Sequence, residues 1–255
     1  MAGMKTILVT GGTGTLGTAV VRRLQAAGRE VRVLSRRADP AGEQVRPDGG
    51  PVRFVGDLRT GDGVDAAVSG ADTVVHCATM LGRDDVRATR VLAEAARRAG
   101  GDPHLLYISI AGIDAIPLPY YRAKLAAEHV VENSGLPWTI LRTTQFHDLL
   151  ATVFRAQRAL PWTTVLSGVR FQPVDVRDVA VRLAELAEKG PSGRAPDLGG
   201  PRVRTMRELA RAYSGRPVLP VPLPGRIAGA FRAGHNLVPG NRSSGPGFED
   251  FLADR

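Results

Sequence analysis

The chain has 255 residues, of which 43% are hydrophobic and 5% aromatic, and its formal net charge is +9. This length and composition indicate a globular protein with one large core and argue against a disordered chain. The charge comes mainly from arginines spread along the whole sequence, without a dense basic run or interleaved aromatic residues. We therefore expect no nucleic-acid partner, and we expect the charge to attract small anionic molecules.

The lengths of the apolar runs and the number of cysteines both bear on where the protein acts. No apolar run approaches the ~18 residues of a membrane-spanning helix. The single cysteine, Cys77, cannot form an internal disulfide and fits a reducing compartment. We expect a cytoplasmic protein with no membrane partner, and the sequence does not predict its oligomeric state.

Short β-rich runs alternate with helical patterns through the first half of the chain. The predicted strands are Thr6–Val9, Val31–Leu34, Val52–Val55, Thr73–His76, Leu105–Ser109 and Trp138–Leu141. The predicted helices are Thr15–Ala27, Asp62–Val68, Asp84–Ala99 and Tyr120–Asn133. Strands that are continuous apolar runs are typical of a parallel sheet covered on both faces. This pattern predicts an α/β fold with a doubly wound parallel sheet, the Rossmann fold.

The regular alternation of strand and helix patterns ends after about Leu150. We predict a dinucleotide-binding core over residues 1–150 and a smaller substrate-side region over 151–255, of which 171–200 packs back on the core. Strands are expected at Thr163–Val165 and Val169–Val174, a helix at Val176–Ala187, and ordered connections at Arg216–Pro224 and Leu237–Gly247. The last fifteen residues fit an ordered connection and a loose tail equally well.

Four glycines lie within Gly11–Gly17, between the first strand and the first helix. In this context Gly11 permits a tight turn, Gly14 lets the backbone approach a pyrophosphate, and Gly17 lets the helix pack on the sheet. Helix N-terminal amides would then face the anion. Both glycine spacings, 12–14–17 and 11–14–17, fit a dinucleotide loop. The expected contacts come from Gly11, Thr13, Gly14, Thr15, Leu16 and Gly17.

The end of the second strand indicates which dinucleotide binds. An NAD site would place an acidic residue there to bind the adenosine ribose. This chain has Ser35, Arg36 and Arg37 instead, and guanidinium groups bind phosphate in bidentate fashion. The sequence predicts NADP(H) in preference to NAD(H), although a solvated basic loop would give the same residues.

The motifs Thr10–Gly17, Val55–Leu58, His76–Ala78 and Tyr120–Lys124 together resemble the short-chain dehydrogenase/reductase superfamily. The glycine spacing 11–14–17 is similar to its extended and atypical branches, including NmrA-like proteins, and the likeness runs over about residues 4–213. The resemblance implies that Asp57 and Leu58 contact adenine, and that Ala78 and Thr79 line the dinucleotide. It places Thr143 and Thr144 near the nicotinamide.

Tyr120 and Lys124 are the candidate catalytic pair. A spacing of four places them one turn apart on one helical face, and a nearby ammonium lowers the pKa of a phenol. In the family that the chain resembles, the tyrosine transfers the proton and the lysine also holds the nicotinamide ribose. The resemblance gives Ser109 the role of polarising the carbonyl in one register. In another register Ala111 takes that place and cannot donate a hydrogen bond.

The remaining polar residues have simpler interpretations. The histidines show no metal-ligand spacing, so we expect no metal. His147 fits a packing role or a substrate-side polar role, and Asp175 and Asp178 fit helix caps better than an acid–base pair. The sequence predicts an NADPH-dependent oxidoreductase acting on a carbonyl or alcohol of a small organic substrate. An NmrA-like sensor without turnover and an epimerase or dehydratase remain open.

Overall fold

The computed structural model describes residues 5–36, 50–80 and 82–254. The chain divides into two compact units. The first unit comprises the described residues up to Ser109 together with 123–141 and 180–195, and the second unit comprises 110–122, 142–179 and the residues from 196 onward. Each unit is therefore built from several separate stretches of the chain, whereas the predicted boundary at residue 150 is a single cut and stays a prediction.

A seven-stranded sheet forms the centre of the fold. Its strands are β1 (Thr6–Thr10), β2 (Glu30–Ser35), β3 (Val52–Val55), β4 (Thr73–His76), β5 (His104–Ile110), β6 (Trp138–Thr143) and β9 (Gly193–Arg194). Their order is β3-β2-β1-β4-β5-β6-β9, and β1 pairs in parallel with both β2 and β4. The chain reverses its direction of winding between β1 and β4, where open α/β sheets bind their ligands. The predicted doubly wound parallel sheet is confirmed.

Helices cover the sheet. They are α1 (Thr15–Ala26), α2 (Val64–Val68), α3 (Arg83–Ala99), α4 (Pro119–Glu132) and α6 (Val176–Lys189). In α1 the apolar positions Leu16, Val20 and Leu24 are buried, as the 3.6-residue period requires. The helix stops before Gly28, which has a φ of +72°. These helices and strands β1 to β6 agree with the sequence-based elements to within one or two residues at most ends, whereas the two-residue strand β9 was not predicted.

The second unit has its own elements and core. They are α5 (His147–Arg155), β7 (Thr163–Leu166), β8 (Arg170–Phe171), β10 (Arg204–Thr205), α7 (Met206–Ser214), β11 (Val218–Val221), α8 (Arg226–Ala233) and α9 (Phe248–Ala253). Its buried core includes Leu150, Phe154, Val165, Leu209 and Phe248. No helix in the described ranges is both long and apolar enough to cross a bilayer.

Three expectations for this unit need correction or completion. The segment Arg216–Pro224 is more than a connection, because β11 lies inside it and pairs in parallel with β7. The predicted strand Val169–Val174 shrinks to β8, because its partner β10 pairs only with Arg170 and Phe171. For the last fifteen residues the ordered alternative is right, because α9 forms there and buries Phe248.

Candidate active site

In the loop after β1, a ligand has room beside Gly14 but not beside Gly11 or Gly17. Gly11 has a φ of +69°, and a Cβ there would lie 2.7 Å from the backbone of Ala78. A Cβ on Gly17 would collide with the carbonyl oxygen of Gly11. Beside Gly14 the one neighbour within 4 Å is that same oxygen, at 3.3 Å. Gly11 and Gly17 therefore shape the loop, while Gly14 leaves space for something outside the protein.

The first turn of α1 presents its amide groups without a side-chain cap. Gly14 is the N-cap residue, no side chain bonds to the first turn, and no acid lies within it. Thr13 and Thr15 are exposed, whereas the Leu16 side chain is buried, so Leu16 can meet a ligand through its backbone alone. Uncapped amides at a positive helix end form an anion site, and the residues fit a pyrophosphate.

The ends of β2 and β3 carry the charged residues expected around the adenosine. Gly56 N–H donates to the Ser35 carbonyl at 2.9 Å, and Arg36 next to it is exposed. The Arg59 guanidinium bonds to the Asp57 carboxylate at 2.7 Å. Arg59 holds the pKa of Asp57 at about 2, and Arg36 adds a weaker effect in the same direction. The Leu58 side chain is buried, which leaves its backbone for an adenine contact; Arg37 lies outside the described residues.

The segment after β4 is held by an acid that the sequence analysis missed. The buried Asp85 carboxylate accepts hydrogen bonds from Met80 N–H at 2.7 Å and from the Thr79 hydroxyl at 3.3 Å. This fixes the stretch that follows Ala78, which itself packs against Gly11. Asp85 is the third residue of α3, where an acid is a capping signal; the predicted helix began one residue later, at Asp84, so this signal was missed.

Lys124 is buried against β5. Its ammonium donates to the Ile108 carbonyl at 3.1 Å and lies 4.2 Å from the centre of the Tyr107 ring. The side chain is only 3% exposed. Burial lowers the pKa of Lys124 to about 8, against the opposing effect of the Asp85 and Glu128 carboxylates. The sequence-predicted lysine is thus held rigidly, as a positioning cation must be.

A buried histidine lies beside this lysine. His76 Nδ1 is 2.7 Å from the Thr10 hydroxyl, and its Nε2 is 3.2 Å from the Thr89 hydroxyl. Because Thr89 donates its own proton to the Asp85 carbonyl, its oxygen accepts from Nε2–H, and Nδ1 accepts from Thr10. Burial, with a smaller contribution from the Lys124 charge, lowers the pKa of His76 to about 3. His76 is therefore a neutral polar link between β1, β4 and α3.

We expect stability to fall in mild acid because of buried histidines. His76, and His104 with a pKa lowered by burial to about 4, stay neutral in the folded chain but take up protons once unfolded, below about pH 6.5. The free energy of unfolding should be full above that pH and fall as pH decreases toward 4. Urea unfolding at several pH values measures this, and His76→Gln should make the slope shallower. Equal slopes in the two proteins would contradict the buried neutral state.

Ser109 lies at the residue after Ile108, on the same face of β5 as Tyr107, because strand side chains alternate. It is buried, and its hydroxyl has no hydrogen-bond partner among the residues that the structure describes. A buried hydroxyl without a partner costs free energy unless a ligand satisfies it. A ligand oxygen could satisfy this hydroxyl, and the register that gives Ser109, and not Ala111, the role of polarising the carbonyl stays a prediction.

Tyr120 and Tyr121 have different surroundings. Tyr120 is half-buried near the start of α4, one helical turn before Lys124. The Tyr121 hydroxyl accepts a hydrogen bond from the Gln145 amide at 3.1 Å, and its ring packs edge-on to Phe231. Burial raises the pKa of Tyr121. Tyr121 is a packing residue of the second unit, and Tyr120 is the tyrosine with the four-residue spacing to the lysine.

The two threonines predicted near the nicotinamide are both buried. The Thr144 hydroxyl donates to the Gln172 carbonyl and accepts from Gly200 N–H at 3.3 Å. The Thr143 carbonyl accepts from Ala111 N–H at 2.8 Å. Thr144 therefore ties together loops of the second unit, and a role of either residue at the nicotinamide stays a prediction.

The other polar candidates have structural roles. The His147 ring stacks 5.1 Å from Phe251 and its Nε2 lies 3.1 Å from the Pro246 carbonyl, which favours the packing interpretation. Asp175 accepts from Arg177 N–H at 2.7 Å just before α6, as a cap does. Within the described ranges, no group of His, Cys, Asp or Glu side chains could hold a metal ion.

Comparison with known proteins agrees with this geometry. Residues 11–187 match the model of the NAD(P)H-binding family. The chain belongs to this family. The match begins at the first loop glycine, directly after β1, and ends within α6, so it contains β2 to β6 and every predicted residue of the candidate site.

Named relatives have reductase activities. The chain is 32% identical over 217 residues to the NAD(P)H azoreductase of Xenophilus azovorans, covering 83% of this chain and 75% of that protein. It is 33% identical over 220 residues to the (4-alkanoyl-5-oxo-2,5-dihydrofuran-3-yl)methyl phosphate reductase of Streptomyces griseus, with the same coverage. The NADPH-dependent quinone oxidoreductase of Escherichia coli, solved with NADPH, superposes with a TM-score of 0.80 at 18% identity over 97% and 99% of the two chains. The chain is an NAD(P)-dependent oxidoreductase.

Proposed function

We propose that the protein reduces a carbonyl group of a small organic molecule with NADPH, and that Tyr120 supplies the proton. The observation that carries this proposal is the buried Lys124 ammonium, which donates to the Ile108 carbonyl of β5, directly before Ser109, whose buried hydroxyl has no partner in the described part of the chain. Lys124 follows Tyr120 by one turn of α4. A packing lysine would keep its charge in water, because burial of an ammonium is costly.

Each group has a defined task in this reaction. When bound, NADPH supplies a hydride, which adds to the carbonyl carbon. The Tyr120 hydroxyl gives its proton to the carbonyl oxygen, so an alcohol forms and a phenolate remains. The Lys124 ammonium favours that phenolate, and Ser109 donates a hydrogen bond to the oxygen as negative charge develops on it. A proton from solvent then restores the phenol.

The residues fit the cofactor. The uncapped amides of α1 and the open space beside Gly14 would hold the pyrophosphate. Ala78 and Thr79 would line the dinucleotide, and Asp57 would meet the adenine. Arg36 would bind the 2′-phosphate with Ser35, and we extend this role to Arg37.

Preference for NADPH gives a measurable prediction. Replacing Arg36 and Arg37 together by Ala should weaken NADPH binding by about 1.5–3 kcal/mol for each charged hydrogen bond lost, and should leave NADH affinity nearly unchanged. Fluorescence titration of both cofactors on both proteins measures this difference. Equal affinities of the unmutated protein for NADPH and NADH would contradict the assignment.

A second class of acceptor follows from the relatives. The similar azoreductase and the fold neighbour that is a quinone oxidoreductase favour an electron-poor quinone or azo substrate, whose reduction depends less on a protein proton donor. A panel of aldehydes, ketones, quinones and azo compounds, followed by loss of NADPH absorbance, separates the classes. Turnover of ketones or aldehydes supports carbonyl reduction. Tight NADPH binding without any turnover would leave the sensor function.

The reducing conditions indicated by the single cysteine support a cytosolic site of action.

A further inference from the structure

The second unit carries an exposed apolar surface formed by Leu160, Trp162, Leu219, Val221, Leu223 and Ile227, here called the apolar ridge. Every residue from 219 to 227 is exposed. Trp162 is 44% exposed and Leu223 46% exposed. Large apolar side chains grouped on a surface mark a site of interaction, whereas isolated ones do not.

Backbone contacts bring the members of the ridge together. β11 lies parallel to β7, with Val218 opposite Thr163 and Val221 opposite Leu166. The Arg216 guanidinium donates to the Leu160 carbonyl at 2.6 Å, and Arg232 donates to the Leu223 carbonyl at 2.9 Å. The turn that contains Leu160 and Trp162 therefore borders the exposed strand, and the arginines lie among the apolar groups.

The sequence around the ridge residues carries charge of one sign. Residues 149–174, which include Leu160 and Trp162, and residues 209–248, which include the other four members, contain no Asp and no Glu; the next acids along the chain are Asp148, Asp175, Glu208 and Glu249. The two stretches contain eight arginines: Arg155, Arg158, Arg170, Arg211, Arg216, Arg226, Arg232 and Arg242. Such a surface attracts a negatively charged partner.

We propose that the apolar ridge binds the surface of an anionic phospholipid bilayer. Leucine, valine and isoleucine side chains would enter the boundary between headgroups and acyl chains, and Trp162 would lie at the headgroup level, where tryptophan is enriched. The arginines would face the lipid phosphates. This contact needs no membrane-spanning helix, but it replaces the expectation from sequence that the protein has no membrane partner. It is independent of the proposed carbonyl reduction.

A second copy of the chain fits the ridge less well. A two-fold symmetric contact would place each arginine-bearing surface against itself, with no carboxylate in either stretch to compensate. Pairing through the edge of β11 is also hindered, because Pro220, Pro222 and Pro224 have no N–H to donate. A bilayer supplies the apolar depth and the negative charge together.

Vesicle flotation with the full chain tests the proposal. Vesicles of phosphatidylcholine mixed equally with phosphatidylglycerol should carry the protein, and vesicles of phosphatidylcholine alone should not. High salt should release the protein, because surface charges are screened. Leu219→Ser with Leu223→Ser should weaken binding roughly tenfold or more, because the buried methylenes are lost. Arg226→Ser should also weaken it.

The control is Val55→Ser, which removes an equally exposed apolar side chain from the first unit and should leave flotation unchanged. Absence of binding to the anionic vesicles would overturn the proposal. So would equal binding of the double serine variant and the unmutated chain. If the double variant instead converts a dimer to a monomer in light scattering without changing flotation, the ridge joins two copies and the membrane assignment is wrong.

Discussion

Tyr120→Phe should lower the rate of carbonyl reduction by ~10²–10⁴-fold while NADPH affinity stays nearly unchanged. The substitution keeps the ring but removes the proton that the carbonyl oxygen must receive. Lys124 stays fixed on the Ile108 carbonyl, so the contacts expected with the cofactor ribose remain. Steady-state turnover of the best ketone or aldehyde, together with a cofactor titration, measures both quantities.

Tyr121→Phe is the matched control. Its side chain lies about 100° further around the helix than that of Tyr120, and its hydroxyl is occupied by the Gln145 amide. Turnover should stay within a few-fold. Stability should fall by about 1–3 kcal/mol, because the Gln145 amide loses its buried acceptor. If Tyr121→Phe abolishes turnover and Tyr120→Phe does not, the assignment of the proton donor is wrong; if neither matters, the proton comes from elsewhere.

Gly14→Val should abolish dinucleotide binding without unfolding the protein. A Cβ at residue 14 would meet one protein atom within 4 Å, the Gly11 carbonyl oxygen at 3.3 Å. We expect the loop to give way by a few tenths of an ångström and the valine side chain to occupy the path of the pyrophosphate. Loss of two charged hydrogen bonds, at about 1.5–3 kcal/mol each, corresponds to roughly 10²-fold or more in Kd. Titration with NADPH and a thermal melt measure affinity and fold separately.

Gly17→Val provides the contrast at the same loop. A Cβ there collides with the Gly11 carbonyl, so this variant should lose stability even without cofactor. Normal NADPH binding by Gly14→Val would show that the loop does not hold the pyrophosphate. A Gly14→Val protein that melts as early as Gly17→Val would show that Gly14 is needed for the fold itself.

Sequence periodicity predicted six of the seven strands, because short apolar runs that alternate with helical patterns are typical of a parallel sheet. Val52–Val55 and Thr73–His76 have the same bounds in prediction and structure. The second unit was harder, since its elements are short and depend on distant partners. β11 contains Pro220, which normally argues against a strand, and it forms because it is an edge strand paired to β7.

In the candidate site, too, the sequence predicts local features better than contacts between distant residues. Spacing predicted Gly11, Gly14, Gly17 and the Tyr120–Lys124 pair as site residues, because the roles expected of them depend on local geometry. It could not show that His76 links Thr10 to Thr89, because residues from three separate elements meet there. Nor could it show that the Ser109 hydroxyl is buried with no partner in the described ranges.

The most direct test of carbonyl reduction follows the hydride itself. NADPH carrying deuterium at both C4 positions is incubated with the protein and the best ketone or aldehyde of the panel, and the product is analysed by mass spectrometry. We predict an alcohol with one deuterium on the former carbonyl carbon, formed much more slowly by Tyr120→Phe. Oxidation of the labelled NADPH without deuterium on that carbon would contradict hydride transfer to a carbonyl.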